Sequence, residues 1–441
     1  MKAIQIFFVL LICSVCFSCR KTFENPAEPT LEDLLKTQDG IVEVIIGIKN
    51  RFAVNSIYGS GALFSAITAN GFSTFEMSPR PGGNQDINQL FRGEQNLATN
   101  NTVLKELWSN CLLINYHCSL IKANIQNVQD PVLRDNIVKY VNLYKALSIG
   151  TMVNFWEKVP VNPNPDVDAD FVDSTVALKV CNALLNEAAM LPNTLPPPPY
   201  LARLGTEINI TNTINALSAR YYMMRKENDS AIIKAALVDI TPTKASSRSV
   251  YIFNNLNPNP LFITGFNGAF GFNANARFGL TGSLLPVLGD SFRTRFYTVN
   301  QPAAGALFGF GFGKNIIDAI PVYLPGEMLL IQAEAYSRKG DYMNGKKFLD
   351  SVLKKTPAQD VFGVGANLPA YTGPLNETSL LQEIYKNRCI ELFMSGMKLS
   401  DSRRFARPGP PAINTERNRN YYPYPLVERF GNPKTPADPP N

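Results

Sequence analysis

Histidine and tryptophan are almost missing from this chain: one histidine, His117, and two tryptophans, Trp108 and Trp156, stand among 441 residues. One imidazole rules out most His-based metal sites and catalytic triads. Charged residues make up only 18% of the chain, and its net charge of +6 is spread thinly without long basic runs, so nucleic acid is excluded as a partner. Of seven cysteines only Cys111, Cys118, Cys181 and Cys389 lie beyond residue 19, too few and too scattered for a disulfide scaffold. Ordinary apolar content, 45%, excludes collagen-like, coiled-coil and wholly disordered chains. A chain this long buries roughly 75% of its unfolded surface, enough for a core without metal or disulfide staples. No cofactor or metal is expected.

The apolar run Ala3 to Cys16, interrupted by Gln5 and Ser14, is shorter than the ~20 residues a membrane span needs. With Lys2 before it, it suits the apolar region of a secretory signal. Cys16-Phe17-Ser18-Cys19 comes next, and a small residue before a cysteine is similar to a bacterial lipobox. The expectation is a signal over 1–18, lipidation at Cys19 and a Pro-containing tether over 19–30. Several acyl chains on one cysteine hold a protein on a membrane, whereas one binds reversibly.

Helices dominate the chain beyond the tether. Thr30 and Asp33 form a capping box, and Ile41, Val44, Ile45, Ile48 and Phe52 continue an apolar face. Residues 55–96 lose this period and read as a long loop, which inside a compact domain is usually functional or disordered. From Thr102 to Val128, Leu104, Leu107, Cys111, Ile114, Cys118 and Ile121 alternate steps of three and four, a packing seam in which the cysteines are small apolar fillers. His117 lies beside the seam and reads as a partly exposed structural residue. Helices are expected from Leu133 to Trp156, over Ser174–Leu191 with Cys181 in its apolar face, and as a pair over Asn212–Ile240; Pro196–Pro199 reads as an extended spacer. Residues 251–315 are rich in Asn, Gly and Phe and form a loop-rich insertion.

The clearest repeat starts at Gly326. Counted as position one of 34, it puts Leu329 at four, Ala333 at eight, Tyr336 at eleven, Gly345 at twenty and Pro357 at thirty-two, the tetratricopeptide rhythm. The fold class is therefore mostly α, a tetratricopeptide-like helical array with long loop-rich insertions.

Taken in order, several blocks make the chain similar to the SusD/RagB family of outer-membrane nutrient-binding lipoproteins. They are the lipobox cysteine, Trp108 in a long helix, Phe155-Trp156-Glu157-Lys158-Val159-Pro160, and Ile320-Pro321-Val322-Tyr323-Leu324-Pro325-Gly326-Glu327. Arg388-Cys389-Ile390-Glu391-Leu392 and Tyr422-Pro423-Tyr424-Pro425 complete the set. Ser395-Gly396 with Lys398, Leu399 and Asp401 departs from the family's Glu-Gly and Arg-aromatic-x-Asp pattern. On this resemblance, 31–250 is an N-terminal SusD-like helical region and 316–441 a C-terminal region. The resemblance implies a non-catalytic, lipid-anchored protein at the outer membrane surface. Such a protein passes oligosaccharides, or in some members peptides, to a SusC-like TonB-dependent transporter.

Two rivals differ in class. A secreted glycoside hydrolase needs only two carboxylates roughly 5–9.5 Å apart, which sequence spacing cannot exclude. A tetratricopeptide scaffold for proteins would not call for the Phe/Gly/Asn insertion. Both tryptophans fall inside helix blocks, so a sugar platform must be Phe or Tyr. Loops on a rigid scaffold carry function. Phe72, Phe75, Phe266, Phe270 and Phe272 are therefore the candidate platforms, and Asn267, Asn273 and Arg277 the candidate hydrogen-bonding groups.

Overall fold

A computed structural model describes residues 29–54, 61–80, 84–93, 97–244, 247–266, 271–301, 307–309, 311–412 and 415–440. The expected signal, the tether to residue 28 and Cys19 lie outside the described residues.

The helices are α1 (Leu31–Leu35), α2 (Gln38–Ala53), α3 (Ala62–Ser73), α4 (Gln85–Arg92), α5 (Thr102–Ala123), α6 (Pro131–Val153), α7 (Ser174–Met190) and α8 (Pro198–Leu204). After them come α9 (Ile210–Met224), α10 (Asn228–Ala236), α11 (Ser291–Tyr297), α12 (Pro325–Arg338), α13 (Tyr342–Lys354), α14 (Glu377–Glu391), α15 (Lys398–Arg404) and α16 (Leu426–Gly431). Neighbours in sequence pack as pairs: α5 on α6, α6 on α7, α9 on α10, and α12 on α13. Cross-contacts from α9 to α7, α10 to α12 and α12 to α14 extend the pairs into an array. Helix α6 is the centre, buried from Ile137 to Val153 on nearly every side. The seam of α5 is also buried, with Leu107, Cys111, Ile114, Cys118 and Ile121 closed off from solvent.

Local chemistry sets the helix starts. The Asn101 side chain accepts the Leu104 N–H, Asp130 accepts that of Leu133 with Pro131 behind it, and Asn209 accepts that of Asn212. In the repeat, Asp341 caps α13 through Asn344 N–H. A Cβ on Gly345 would lie 2.3 Å from Ser337 Oγ and 3.3 Å from the Ala333 carbonyl. Glycine there is what lets α13 lie against α12, and the expected close contact of Ala333 with Gly345 is present.

Four expectations change. Residues 55–96 are not one long loop, because they contain α3 and α4. Every residue of α3 is buried, so it has no polar face and leaves no 3.6-residue signature. The first helix is two, since Thr37 recaps the chain after α1 and accepts the Gly40 N–H. The seam helix stops at Ala123, and a tight turn, Ile125–Asn127, comes after it. Pro196–Pro199 is not wholly extended, because proline is tolerated in a first helical turn and Pro198 opens α8.

The strands are short and antiparallel. Strand β1 (Met77–Pro79) pairs with β5 (Phe272–Ala274), and β2 (Lys158–Pro160) with β3 (Phe171–Asp173). Strand β4 (Val250–Tyr251) pairs with β8 (Ile320–Pro321), and β6 (Val299–Gln301) with β7 (Leu307–Gly309).

Both tryptophans are structural. Trp108 Nε1 donates to Glu428 Oε2 at 2.9 Å and Trp156 Nε1 to the Pro423 carbonyl at 3.1 Å. Their rings, 4.8 Å apart, form the bed on which Tyr422 and Tyr424 dock the C-terminal segment.

Candidate functional site

The two stretches singled out for ligand binding meet in space. Pairing of β1 with β5 sets Ser78 opposite Asn273 and Pro79 opposite Phe272. Around this ladder, Asn275 N–H donates to the Glu76 carbonyl at 2.8 Å and its side chain donates to the Phe75 carbonyl at 2.9 Å. The Arg80 guanidinium donates to the Gly265 carbonyl at 2.8 Å, tying β1 to the π-type turn Leu261–Phe266.

Lys398 clamps the junction. Its ammonium donates to the carbonyls of Thr74 at 3.0 Å, Phe278 at 2.7 Å and Gly279 at 2.9 Å. Phe75 and Phe278 both sit at positive φ, 59° and 56°, where bulky side chains are rare and strain collects at functional sites. Gly279 completes the approach, since a Cβ there would meet the Thr74 carbonyl at 2.3 Å.

Glu76 lies beneath this face, 1% exposed, and its Oε2 accepts the Asn70 side-chain N–H at 2.6 Å. Burial pushes its carboxyl up to about 7, against the opposing pull of Lys398.

The candidate residues divide sharply. Phe72 and Phe272 are fully buried, ring to ring at 5.6 Å, and Phe64 joins Phe272 at 6.2 Å. They are not platforms, because core packing under the ladder leaves no face for a ligand. Phe75 is only half-buried, set edge-on to Phe91 at 5.9 Å. Asn273 is half-buried in β5 and Arg277 is exposed three residues beyond that strand. Phe266 ends the π-type turn; its side chain, and all of Asn267 and Phe270, lie outside the described residues. Structure thus brings Phe75, Asn273 and Arg277 into one loop cluster.

Two neighbours of this cluster, Phe91 and Ser78, are absent from the sequence-based candidates. Phe91 comes after Ile87 and Leu90 in α4, so the helical spacing in that stretch is a signal that could have found it. For Ser78 there is none, since only pairing places it.

Other groups are committed elsewhere. The buried carboxylates Glu327, Glu334, Glu391 and Asp401 each face an arginine or lysine: Arg220, Arg404, Arg293 with Lys355, and Arg388 with Arg404. For Glu334 and Asp401, burial works to raise the carboxyl, yet the arginines hold both below the usual range. Cys111, Cys118, Cys181 and Cys389 are free and buried, and burial pushes the thiols of Cys118 and Cys389 up to about 12. His117 is half-buried as expected, and burial, with Arg51 nearby, lowers its pKa. Among the described residues no group of three or more His, Cys, Asp or Glu is placed to hold a metal. A separate cleft of about 440 Å³ lies between α5, the Pro-rich turn after β2 and α16, lined by Leu112, Tyr116, Pro163 and Asp166.

No family model and no curated protein matches this sequence. Solved structures do. A SusD superfamily protein from Bacteroides vulgatus superposes with a TM-score of 0.67 at 14% identity, covering 91% of this chain and 99% of its own. A SusD-like protein from Bacteroides fragilis gives 0.66 at 10% identity, over 92% of this chain and 97% of its own. Another from Bacteroides fragilis, described as a SusD-like carbohydrate-binding protein, gives 0.64 at 13% identity over 91% and 99%. With more than nine-tenths of its length matched in each case, the chain has the fold of the SusD superfamily.

Proposed function

We propose that this chain is a surface nutrient-binding protein. In this reading it is lipid-anchored at Cys19 in the outer membrane, and captures oligosaccharides at the β1–β5 face for import by a SusC-like TonB-dependent transporter. The observation that carries the reading is the pairing of β1 with β5, which unites two loop segments far apart in sequence on a rigid helical body. Phe75, partly exposed, stands in the turn leading into β1, whose Ser78 pairs with Asn273, a mix of apolar face and hydrogen-bonding groups that a sugar ring needs. The fold likeness includes a protein described as carbohydrate-binding, which supports the same class of ligand. Binding rather than hydrolysis is favoured because the buried carboxylates of Glu327, Glu334, Glu391 and Asp401 are each held in ion pairs.

Calorimetric titration of a glycan panel tests the reading. Phe75→Gly relieves the positive φ and removes the ring, so affinity should fall about 10-fold or more while the melting temperature holds. Phe72→Ala should instead cost roughly 3–5 kcal/mol of stability. If Phe75→Gly binds every glycan as the parent does, the site lies elsewhere. Binding of peptides in place of glycans would select the peptide-binding alternative.

A further inference from the structure

We propose that the cleft between α5, the turn after β2 and α16 is a docking site for a partner protein, and that it takes a segment carrying lysine or arginine among apolar side chains. The proposal stands apart from the oligosaccharide reading, since none of the cleft's residues belongs to the β1–β5 face. The cleft holds about 440 Å³, the size of a built binding site. Leu112, Leu113, Tyr116, Pro163, Val167 and Ala169 give it apolar walls. On α5, Tyr116 comes four residues after Leu112 and three after Leu113, so the three share a face opposite the buried seam of Leu107, Cys111, Ile114 and Cys118. Apolar surface continues past the cleft. Val167 is 61% exposed, and α16, which supplies Glu428 and Gly431 to the lining, also exposes Val427 and, at 84%, Phe430. Exposed apolar surface with a polar rim marks contact with another protein.

The three walls are tied to one another. The Asn115 side chain donates to the Val161 carbonyl at 3.1 Å and joins α5 to the turn. Asn432 donates to the Ala169 carbonyl at 3.0 Å and joins the turn to the C-terminal segment. Trp108 Nε1 on Glu428 joins α5 to α16. Within the turn, Asn164 bridges Val167, and Asn164 Oδ1 accepts the Asp166 N–H at 3.0 Å. A cleft held in this way receives a partner without first being ordered, which lowers the cost of binding.

Charge decides what fits. Asp166, Asp168 and Glu428 line the cleft, and no lysine, arginine or histidine does. Among the described residues none of these three acids is in an ion pair; Glu428 accepts neutral donors, Trp108 at 2.9 Å and the Asn432 amide at 3.1 Å. Neighbouring cations serve other acceptors. Lys434 lies on Asp170 at 2.8 Å and on the Asp168 carbonyl, Arg429 pairs with Asp438, and Lys145 donates to Ser119 and Asn162. Apolar walls with acids of one sign concentrate negative potential and attract cations. An acidic segment would bring like charges together, and a purely apolar one would desolvate the carboxylates without pairing them. A lysine or arginine instead lays its stem on the leucine and proline walls, with its head among the carboxylates and near the Tyr116 ring.

Fluorescence anisotropy on the full mature chain, bearing Cys19→Ala so that it stays soluble, gives the test. The probes are a capped hexapeptide of alternating leucine and lysine and its leucine–glutamate counterpart. The basic peptide should bind with a Kd below about 1 mM, and its affinity should fall as salt rises from about 50 to about 500 mM. Asp166→Asn combined with Asp168→Asn should weaken it about 5-fold and leave the melting temperature unchanged, because both side chains are exposed. Leu113→Ser should weaken it at low and high salt alike, by removing part of the apolar wall. Phe75→Gly should leave it unchanged. No binding of the basic peptide, equal binding of the acidic one, or binding indifferent to the double variant would overturn the proposal. Tighter binding of uncapped leucyl-lysyl-leucine would make a free peptide the occupant and overturn it as well. All of these outcomes leave the oligosaccharide reading standing, because that reading fails only in the glycan titration.

Discussion

Glu76 is a carboxyl without an ion pair among the described residues, placed under the β1–β5 ladder. Asp401, Cys389 and Tyr297 lie within its electrostatic reach, and Lys398 is the nearby cation, though its ammonium is occupied by three carbonyls. Glutamate in an unfolded chain titrates near 4.5, and in the fold Glu76 is pushed up to about 7. The folded state thus holds the proton more tightly. The stability this supplies is complete below pH 4.5 and is lost as pH rises through 7, to a total on the order of 3 kcal/mol. Melting curves between about pH 4.5 and about pH 8 should show the parent losing stability relative to Glu76→Gln, which keeps a neutral hydrogen-bonding side chain. The variant should be the more stable of the two at the alkaline end. Parallel pH profiles would show that the carboxyl stays neutral or stays charged across the range.

Helices α12 and α13 show how the array closes. Ala333 faces Leu330, Leu349, Val352, Leu380 and Ile384 in a small core of its own, and its carbonyl accepts the Ser337 hydroxyl at 2.8 Å. Outside this contact the Tyr336 and Phe348 rings stack at 5.5 Å. On the other side Glu334 accepts Arg404 at 2.8 Å, and Arg404 continues to Asp401 and Arg388, binding α12 to α14 and α15. Loss of one member would leave a buried charge unpaired, at a strongly destabilising cost. Ala333→Leu should cost ~1–3 kcal/mol by overpacking the interface, read as a lower melting temperature. Lys347→Ala, at an exposed position of α13, should leave it unchanged. Equal melting temperatures for the two variants would mean that Ala333 is not at a tight contact.

For the whole molecule, the proposed role needs a second protein. Among the described residues no helix is long and apolar enough to cross a membrane. A binding protein held at a surface by lipid cannot itself carry solute through the bilayer. With a C-terminal tag, gentle detergent extraction should recover a TonB-dependent barrel together with this chain. Cys19→Ala should incorporate no radiolabelled fatty acid and lose the barrel from the membrane fraction's tagged eluate. Labelling of the variant equal to the parent's would remove Cys19 as the lipid site, and recovery of the tagged parent alone under crosslinking would count against the transporter.

Much of the architecture was legible in the amino-acid order because it is local. The seam from Leu104 to Ile121, the cap at Thr30, and the small residues Ala333 and Gly345 act within a few turns of helix, where spacing alone decides which side chains coincide. The same holds for Cys111, Cys118 and Trp108, whose burial is set by helical position. Burial on all sides erased the signal of α3, since a helix without a polar face has no period to detect. The site was legible only as two loop segments. Ring exposure at Phe72, Phe75 and Phe272 depends on a ladder between β1 and β5, whose members stand almost 200 residues apart. Phe72 lies in α3, Phe75 in the turn that comes after it and Phe272 in β5, so no single local period says which ring is covered. Tertiary structure likewise decided that Lys398 clamps both turns and that Asn275 ties the Arg277 turn to the Phe75 turn, because those partners meet only through the fold.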